Sequence, residues 1–282
     1  MDILATSDWQ EVWAALQQKR QRPADAQHWN DRAADYARSV GNSSYTQRFL
    51  ELLRIQPGQS VLDMGCGPGA LCIPLAKAGN EVLACDFAQA MLDEVQRRAQ
   101  QEGLANLRTK LLAWEDDWVT KGVAPQQADV VIASRSIAVQ DLHAALSKLN
   151  QTARKKVALT IGTADQPRSN RRIIEAVGRK AEAAYDLPVC LNMLFAMGLN
   201  PELRYISSHK TDRFASFDDA FAACRQMLHN PTPHEEELLA AYLQEHLVVE
   251  GKATALEKPF VFTAPRLITW AFISWKPRNP RE

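Results

Sequence analysis

Val61-Leu62-Asp63-Met64-Gly65-Cys66-Gly67-Pro68-Gly69 reads as a buried strand that runs into a glycine-rich turn. A helix is predicted from about Ala70, carrying Leu71, Ile73, Leu75 and Ala76. Glycines at alternate positions remove the Cβ atoms that would keep a ligand off the backbone. The turn feeds a helix N-terminus, where unpaired N–H groups and the helix dipole attract negative charge. The stretch is therefore a nucleotide-type binding loop. By spacing alone, Gly65-x-Gly67-x-x-Ala70 also fits the dinucleotide pattern. Asp63 separates the choices. It stands at the strand end, two residues before the first glycine, where a carboxylate would repel a pyrophosphate and suit a ligand bearing an ammonium group.

The string Val-Leu-Asp-x-Gly-x-Gly-x-Gly resembles motif I of the class I S-adenosylmethionine (SAM) methyltransferases. In that family the acidic residue helps to position the methionine end of SAM. The resemblance thus assigns Asp63, Gly65, Cys66, Gly67 and Gly69 to cofactor binding. Cys66 fits the loop as a small apolar residue and reads as packing, not as a nucleophile. Next, Glu81–Cys85 is a short strand pattern ending at Asp86, with a helix from about Gln89. A carboxylate about 20 residues past the glycine turn is placed to accept hydrogen bonds from both ribose hydroxyls. NAD and SAM share that need, so Asp86 does not separate them. Asp86-Phe87-Ala88-Gln89-Ala90-Met91-Leu92 resembles the family's Asp-x-Ser-x-x-Met-Leu pattern, with Ala88 in the place of the serine. The resemblance packs Phe87 and Met91 against adenine; both equally suit the apolar face of the helix.

Further positions follow from the same resemblance. The loop after the third strand, Leu111-Leu112-Ala113-Trp114-Glu115-Asp116-Asp117, is where the family commonly places an acidic acceptor for the adenine amino group. Glu115, next to Trp114, is favoured over Asp116, although a run of charge is more usually solvated and Trp114 also suits a core. Ser134-Arg135-Ser136-Ile137 follows the fourth strand and should lie beside the transferring methyl. There Ser134 and Arg135 are cofactor-side candidates, and Arg135 suits an anionic acceptor or the SAM carboxylate, as it would also suit an exposed surface. His28-Trp29-Asn30-Asp31-Arg32-Ala33-Ala34-Asp35-Tyr36 resembles a segment that precedes motif I in many small-molecule methyltransferases. Its tyrosine, here Tyr36, closes over the methionine end of SAM. The chain lacks the family's Asn/Asp-Pro-Pro-Tyr for amide nitrogens, a Pro-Cys pair for cytosine, and an acidic cluster after the fourth strand for magnesium. No catalytic side chain is singled out, since methyl transfer from a sulfonium asks mainly for proximity, orientation and a dry pocket. His28 and His209 are the two histidines worth testing as bases.

Composition narrows the partners. The 282 residues carry 33 Lys+Arg and 33 Asp+Glu, a net charge of zero, so no strong electrostatic footprint for nucleic acid or membrane is present. No apolar run approaches the ~20 residues that span a bilayer, and the first residues lack a basic-then-apolar leader. Five scattered cysteines without C-x-x-C spacing read as reduced, cytoplasmic residues, with neither a disulfide frame nor a metal site. A small-molecule acceptor is the expected partner, and a homodimer stays open.

Around the loop, helices are predicted over 8–20, from about 28, and over 43–54. Strands are predicted at 106–112, 129–133 and 157–161, with a helix over 140–150. Alternating strands and helices imply a parallel sheet with right-handed crossovers. Beyond 162 the reading is a loop at 165–169, a basic-faced helix over 170–184, a helix over 188–198, a strand over 202–213, helices over 217–229 and 234–247, and a last strand, Arg266–Trp275. The expected fold is α/β: a Rossmann-like, seven-stranded, mostly parallel sheet with helices on both faces and a helical cap. It is divided into an N-terminal helical cap (1–55), a SAM-binding core (56–162), and a segment that completes the sheet and carries helical insertions over the substrate (163–282). The expected function is SAM-dependent methyl transfer, with a non-catalytic SAM-binding protein and an NAD-dependent oxidoreductase as alternatives.

Overall fold

A computed structural model describes residues 8–20, 25–39, 43–164, 170–250 and 258–278. The predicted loop at 165–169 lies outside them. Three helices, α1 (Trp9–Arg20), α2 (Ala26–Ser39) and α3 (Ser44–Leu53), precede β1 (Ser60–Met64). The alternating part follows as α4 (Cys72–Lys77), β2 (Glu81–Asp86), α5 (Gln89–Gln101), β3 (Leu107–Leu111), β4 (Ala128–Ser134), α6 (Leu142–Thr152) and β5 (Ala153–Gly162). The remainder is α7 (Arg171–Ala176), α8 (Asp186–Ala196), β6 (Glu202–Lys210), β7 (Arg213–Phe214), α9 (Phe217–Gln226), α10 (Pro233–His246), β8 (Leu247–Val249), β9 (Phe260–Phe262) and β10 (Arg266–Trp275).

The main sheet has seven strands in the order β3-β2-β1-β4-β5-β10-β6. β1 pairs in parallel with β2 on one side and β4 on the other, setting Leu62 opposite Leu83 and Val131. A central strand covered on both faces needs an unbroken apolar run, which 61–64 supplies apart from Asp63. Strand order reverses between β1 and β4. At such a switch point, ligands of open α/β sheets enter the crevice outside the carboxyl ends of the strands.

The described residues divide into two compact units. The first is drawn from Met1–Ile161, Tyr185–Ile206 and Ala271–Glu282. Its core includes Trp13, Leu62, Met64, Val131, Leu146 and Ile273, all fully or almost fully buried. Trp13 also donates its indole N–H to the Val139 carbonyl at 2.7 Å, which fixes α1. The second unit is drawn from Gly162–Ala184 and Ser207–Trp270. It holds a separate core of Ile173, Phe214, Cys224, Leu239, Leu243 and Phe262. A small antiparallel sheet of order β7-β9-β8 belongs to it, so the insertion before the last strand is not purely helical as expected. The predicted helix over 170–184 is also corrected: α7 ends at Ala176. Gly178 takes the left-handed conformation, φ +78°, and its N–H returns to the Glu175 carbonyl, a glycine stop.

Candidate functional site

The glycine loop is shaped by Cys85 at the end of β2, whose carbonyl accepts from both the Gly65 and Cys66 N–H groups, at 2.8 and 3.0 Å. Gly69 N–H closes the turn on the Cys66 carbonyl. The glycines have different tasks. A Cβ on Gly65 (φ +71°) would lie 2.3 Å from Ser136 Cβ, so that glycine lets the β4 loop pack against the β1 loop. A Cβ on Gly67 (φ +53°) would meet nothing within 4 Å, which leaves its face open for a ligand. A Cβ on Gly69 (φ +93°) would lie 2.8 Å from Ile73 Cγ1, so of the three glycines Gly67 alone has open space where a Cβ would stand. Cys66 is buried; a hydrogen bond with Cys72 and the burial itself hold its thiol well above the ordinary value, which leaves it unreactive.

Two buried carboxylates stand at the ends of adjacent strands. Asp63 is 1% exposed, and neither carboxylate oxygen has a hydrogen-bond partner among the described residues. Burial, then repulsion from Asp86, pushes its pKa up to about 7; the Cys72 N–H opposes the shift without forming a bond of normal geometry. Asp86 is also buried, but its oxygens accept from the Gly67 N–H at 2.9 Å and the Ala88 N–H at 3.0 Å. Burial raises its pKa, and the N–H groups of Ala88, Gly67 and Phe87 counter this. Each carboxylate oxygen has two lone pairs, so Asp86 can still accept from a diol. An unpartnered carboxyl group with an acceptor pair one strand away fits a ligand whose two ends are an ammonium group and a ribose.

On the β3 side, Asp116 accepts from the Ala113 N–H at 2.8 Å, and Lys148 of α6 donates to the Trp114 and Asp116 carbonyls. Asp116 is thus spent on its own turn, while Glu115 is exposed. Trp114 packs beside Trp118 and donates its indole N–H to the Ser136 carbonyl at 3.1 Å, tying the β3 and β4 loops together. Phe87 is half-buried. Met91 is buried against Ala33 and Trp29 of α2. Asn30 of α2 accepts from the Ala90 N–H at 3.0 Å, so the helix before motif I is docked on the start of α5. Tyr36 is 40% exposed and lies edge-on to Trp29. His28 bonds Arg32 and His209 is exposed on β6.

Sequence reading missed a cluster on the β4–β5 side. The Tyr45 hydroxyl of α3 lies 2.7 Å from both Ser134 Oγ and Thr160 Oγ1. Thr160 Oγ1 also accepts from the Arg135 N–H, and the Arg135 guanidinium sits 4.2 Å from the centre of the Tyr45 ring. Ser136 Oγ donates to the Met64 carbonyl at 2.7 Å. Tyr45, Thr160 and Ser136 carry no motif, because their meeting depends on pairings 72 to 115 residues apart. No group of His, Cys, Asp and Glu that would hold a metal occurs among the described residues. All five cysteines are buried free thiols. No helix among the described residues is long and apolar enough to cross a membrane.

A sheet of this order with this loop defines a class, the Rossmann-like methyltransferases. A family model described as a methyltransferase domain matches residues 55–209, and the chain belongs to that family, the class I SAM-dependent methyltransferases. An uncharacterized protein of Haemophilus influenzae is 34% identical over 217 residues, covering 76% of this chain and 79% of the relative. The 23S rRNA (uracil(1939)-C(5))-methyltransferase RlmD of Alkalilimnicola ehrlichii is 35% identical over 86 residues, only 29% of this chain and 19% of that enzyme. Among solved structures, BH2331 of Bacillus halodurans C-125 superposes with a TM-score of 0.54 at 15% identity. The match covers 83% of this chain and 99% of that one, a likeness of fold.

Proposed function

We propose that this protein transfers a methyl group from SAM to a small-molecule acceptor. The observation that carries the reading is Asp63, a buried carboxylate with both oxygens unpartnered at the mouth of the glycine loop. Such a group is costly unless a cation comes to it. Its place argues against the pyrophosphate of NAD. In this reading Asp63 receives the ammonium end of the cofactor, the open face of Gly67 allows close approach, and Asp86 accepts from the ribose. Phe87 flanks the base, Glu115 accepts from its amino group, and Tyr36 covers the methionine end. SAM supplies a methyl group on a cationic sulfur, already activated for in-line displacement. What remains for the protein is to orient the two reactants and to exclude water. Donor binding is assigned to the core, residues 56–162.

The preference for a small acceptor rests on the balanced charge and on the absence of the nitrogen- and cytosine-directed motifs after β4. The experiment uses purified protein with methyl-labelled SAM, offered a metabolite extract in one arm and total RNA in the other. Label in the small-molecule fraction alone is expected. Label in RNA would overturn the acceptor class. Bound SAM with no label in either arm would favour a binding protein without turnover.

A further inference from the structure

We infer that Arg98 is a positioning residue for the donor, a brace that holds the glycine loop in its binding shape before the ligand arrives. The inference deepens the proposed function and rests on it. Gly65, Gly67 and Gly69 all have left-handed backbones, with φ of +71°, +53° and +93°. Glycine gives up more conformational freedom on ordering than any other residue. A loop built from alternate glycines therefore has a large entropy to lose. Whatever orders it in advance removes that loss from the binding step.

The contacts that order the loop can be followed peptide by peptide. The Cys66–Gly67 peptide is held at both ends: its N–H donates to Asp86 at 2.9 Å, and its carbonyl accepts from the Gly69 N–H at 3.2 Å. The Pro68–Gly69 peptide supplies that Gly69 N–H, and its carbonyl accepts from Arg98 Nη1 at 2.6 Å. The N–H and C=O of a trans peptide point apart. Cys66 and Arg98 thus grip this unit from opposite sides, and without Arg98 it is held at the Gly69 end alone. Proline has no N–H to offer at position 68. Arg98 belongs to the last turn of α5 and is half-buried. Val95, three residues earlier and on the same helix face, comes within 3.4 Å of the place where a Gly69 Cβ would stand. The loop therefore rests on α5 where Arg98 reaches it. Arg97 is no substitute, since both oxygens of Glu94 engage its guanidinium. Asp86 is the group given to the ribose, whereas Arg98 acts through the loop.

The test pairs calorimetry of S-adenosylhomocysteine, the demethylated donor, with hydrogen exchange over 65–71 in the unliganded protein. The variants are Arg98→Met, which keeps the apolar stem without the donors, and Arg98→Lys, which keeps a charged donor. In Arg98→Met, exchange over 65–71 is expected to quicken while that of β1, β2 and α5 holds. S-adenosylhomocysteine should then bind about fivefold or more weakly, as the fraction of molecules with the loop in place falls. Arg98→Lys should lie between variant and wild type on both readouts. Faster loop exchange with unchanged affinity would overturn the inference, and so would weaker affinity with unchanged loop exchange. Exchange that quickens along the whole of α5, with a lower melting temperature, would make Arg98 a structural pin of that helix and overturn it as well. If the wild type failed to bind S-adenosylhomocysteine at all, the donor reading itself would fall, and the inference with it.

Discussion

Asp63 is buried with neither carboxylate oxygen hydrogen-bonded among the described residues. Its pKa of about 7 in the fold, against an ordinary 3.8, means that the folded chain keeps a proton which the unfolded chain gives up. Stability is therefore highest at low pH with respect to this group and falls as pH rises through the window from about 4 to 7. The loss is on the order of 2–4 kcal/mol, then levels off. Asp63→Asn should flatten that slope and raise the melting temperature at pH 8, while weakening SAM binding; melts at pH 5.5 and 8 would reveal it, and a variant no more stable at pH 8 would show that the carboxylate is not strained. The glycines separate structure from ligand in the same way. Gly65→Ala forces a Cβ into Ser136 and should cost about 2–4 kcal/mol of stability. Gly67→Ala meets no protein atom and should cost about 1–2 kcal/mol, yet weaken SAM by about tenfold or more. Equal stability losses, or unchanged SAM affinity in Gly67→Ala, would remove the distinction. Asp63, Asp86 and the loop were legible because their spacing is local. That Gly65 serves Ser136 was not, because the contact is made by a residue 71 positions away.

At the scale of elements, α2 is the part most exposed to test. Asn30, Trp29 and Ala33 dock it on α5, while Tyr36 packs edge-on to Trp29 and is 40% exposed. A helix docked on its neighbour through a backbone hydrogen bond and a small apolar cluster is the kind of element from which lids are drawn. Hydrogen exchange over 25–39 should slow when SAM or S-adenosylhomocysteine is added, and Tyr36→Ala should lower turnover more than thermal stability. Slow exchange without ligand, unchanged by it, would make α2 a fixed part of the core. Long periodic elements were readable from sequence, and β10 has the predicted bounds, Arg266–Trp275. The helix predicted over 170–184 was not, although Gly178 is the stop signal. Beyond it Arg179 leaves the helical path to pair with Glu235 and the Leu228 carbonyl. The strands β7, β8 and β9 escaped notice because two or three residues carry no period.

At the scale of the molecule, the donor half of the reaction is far more legible than the acceptor half. A cofactor shared by a whole family imposes the same loop and carboxylates wherever it binds, so a strand–turn–helix string suffices to find them. The cluster of Tyr45, Thr160 and Arg135, by contrast, is assembled only by the fold. The second unit, with its own core, was foreseen only as helical insertions, because its small sheet closes through pairings of short segments. The central claim is that Asp63 and Asp86 form the two poles of a SAM site. Its most direct test is a side-by-side calorimetric titration of SAM and NAD into the wild type and Asp63→Asn. Binding of SAM alone, weakened by about tenfold or more in the variant, is the expected result. Binding of NAD with no response to SAM would contradict it.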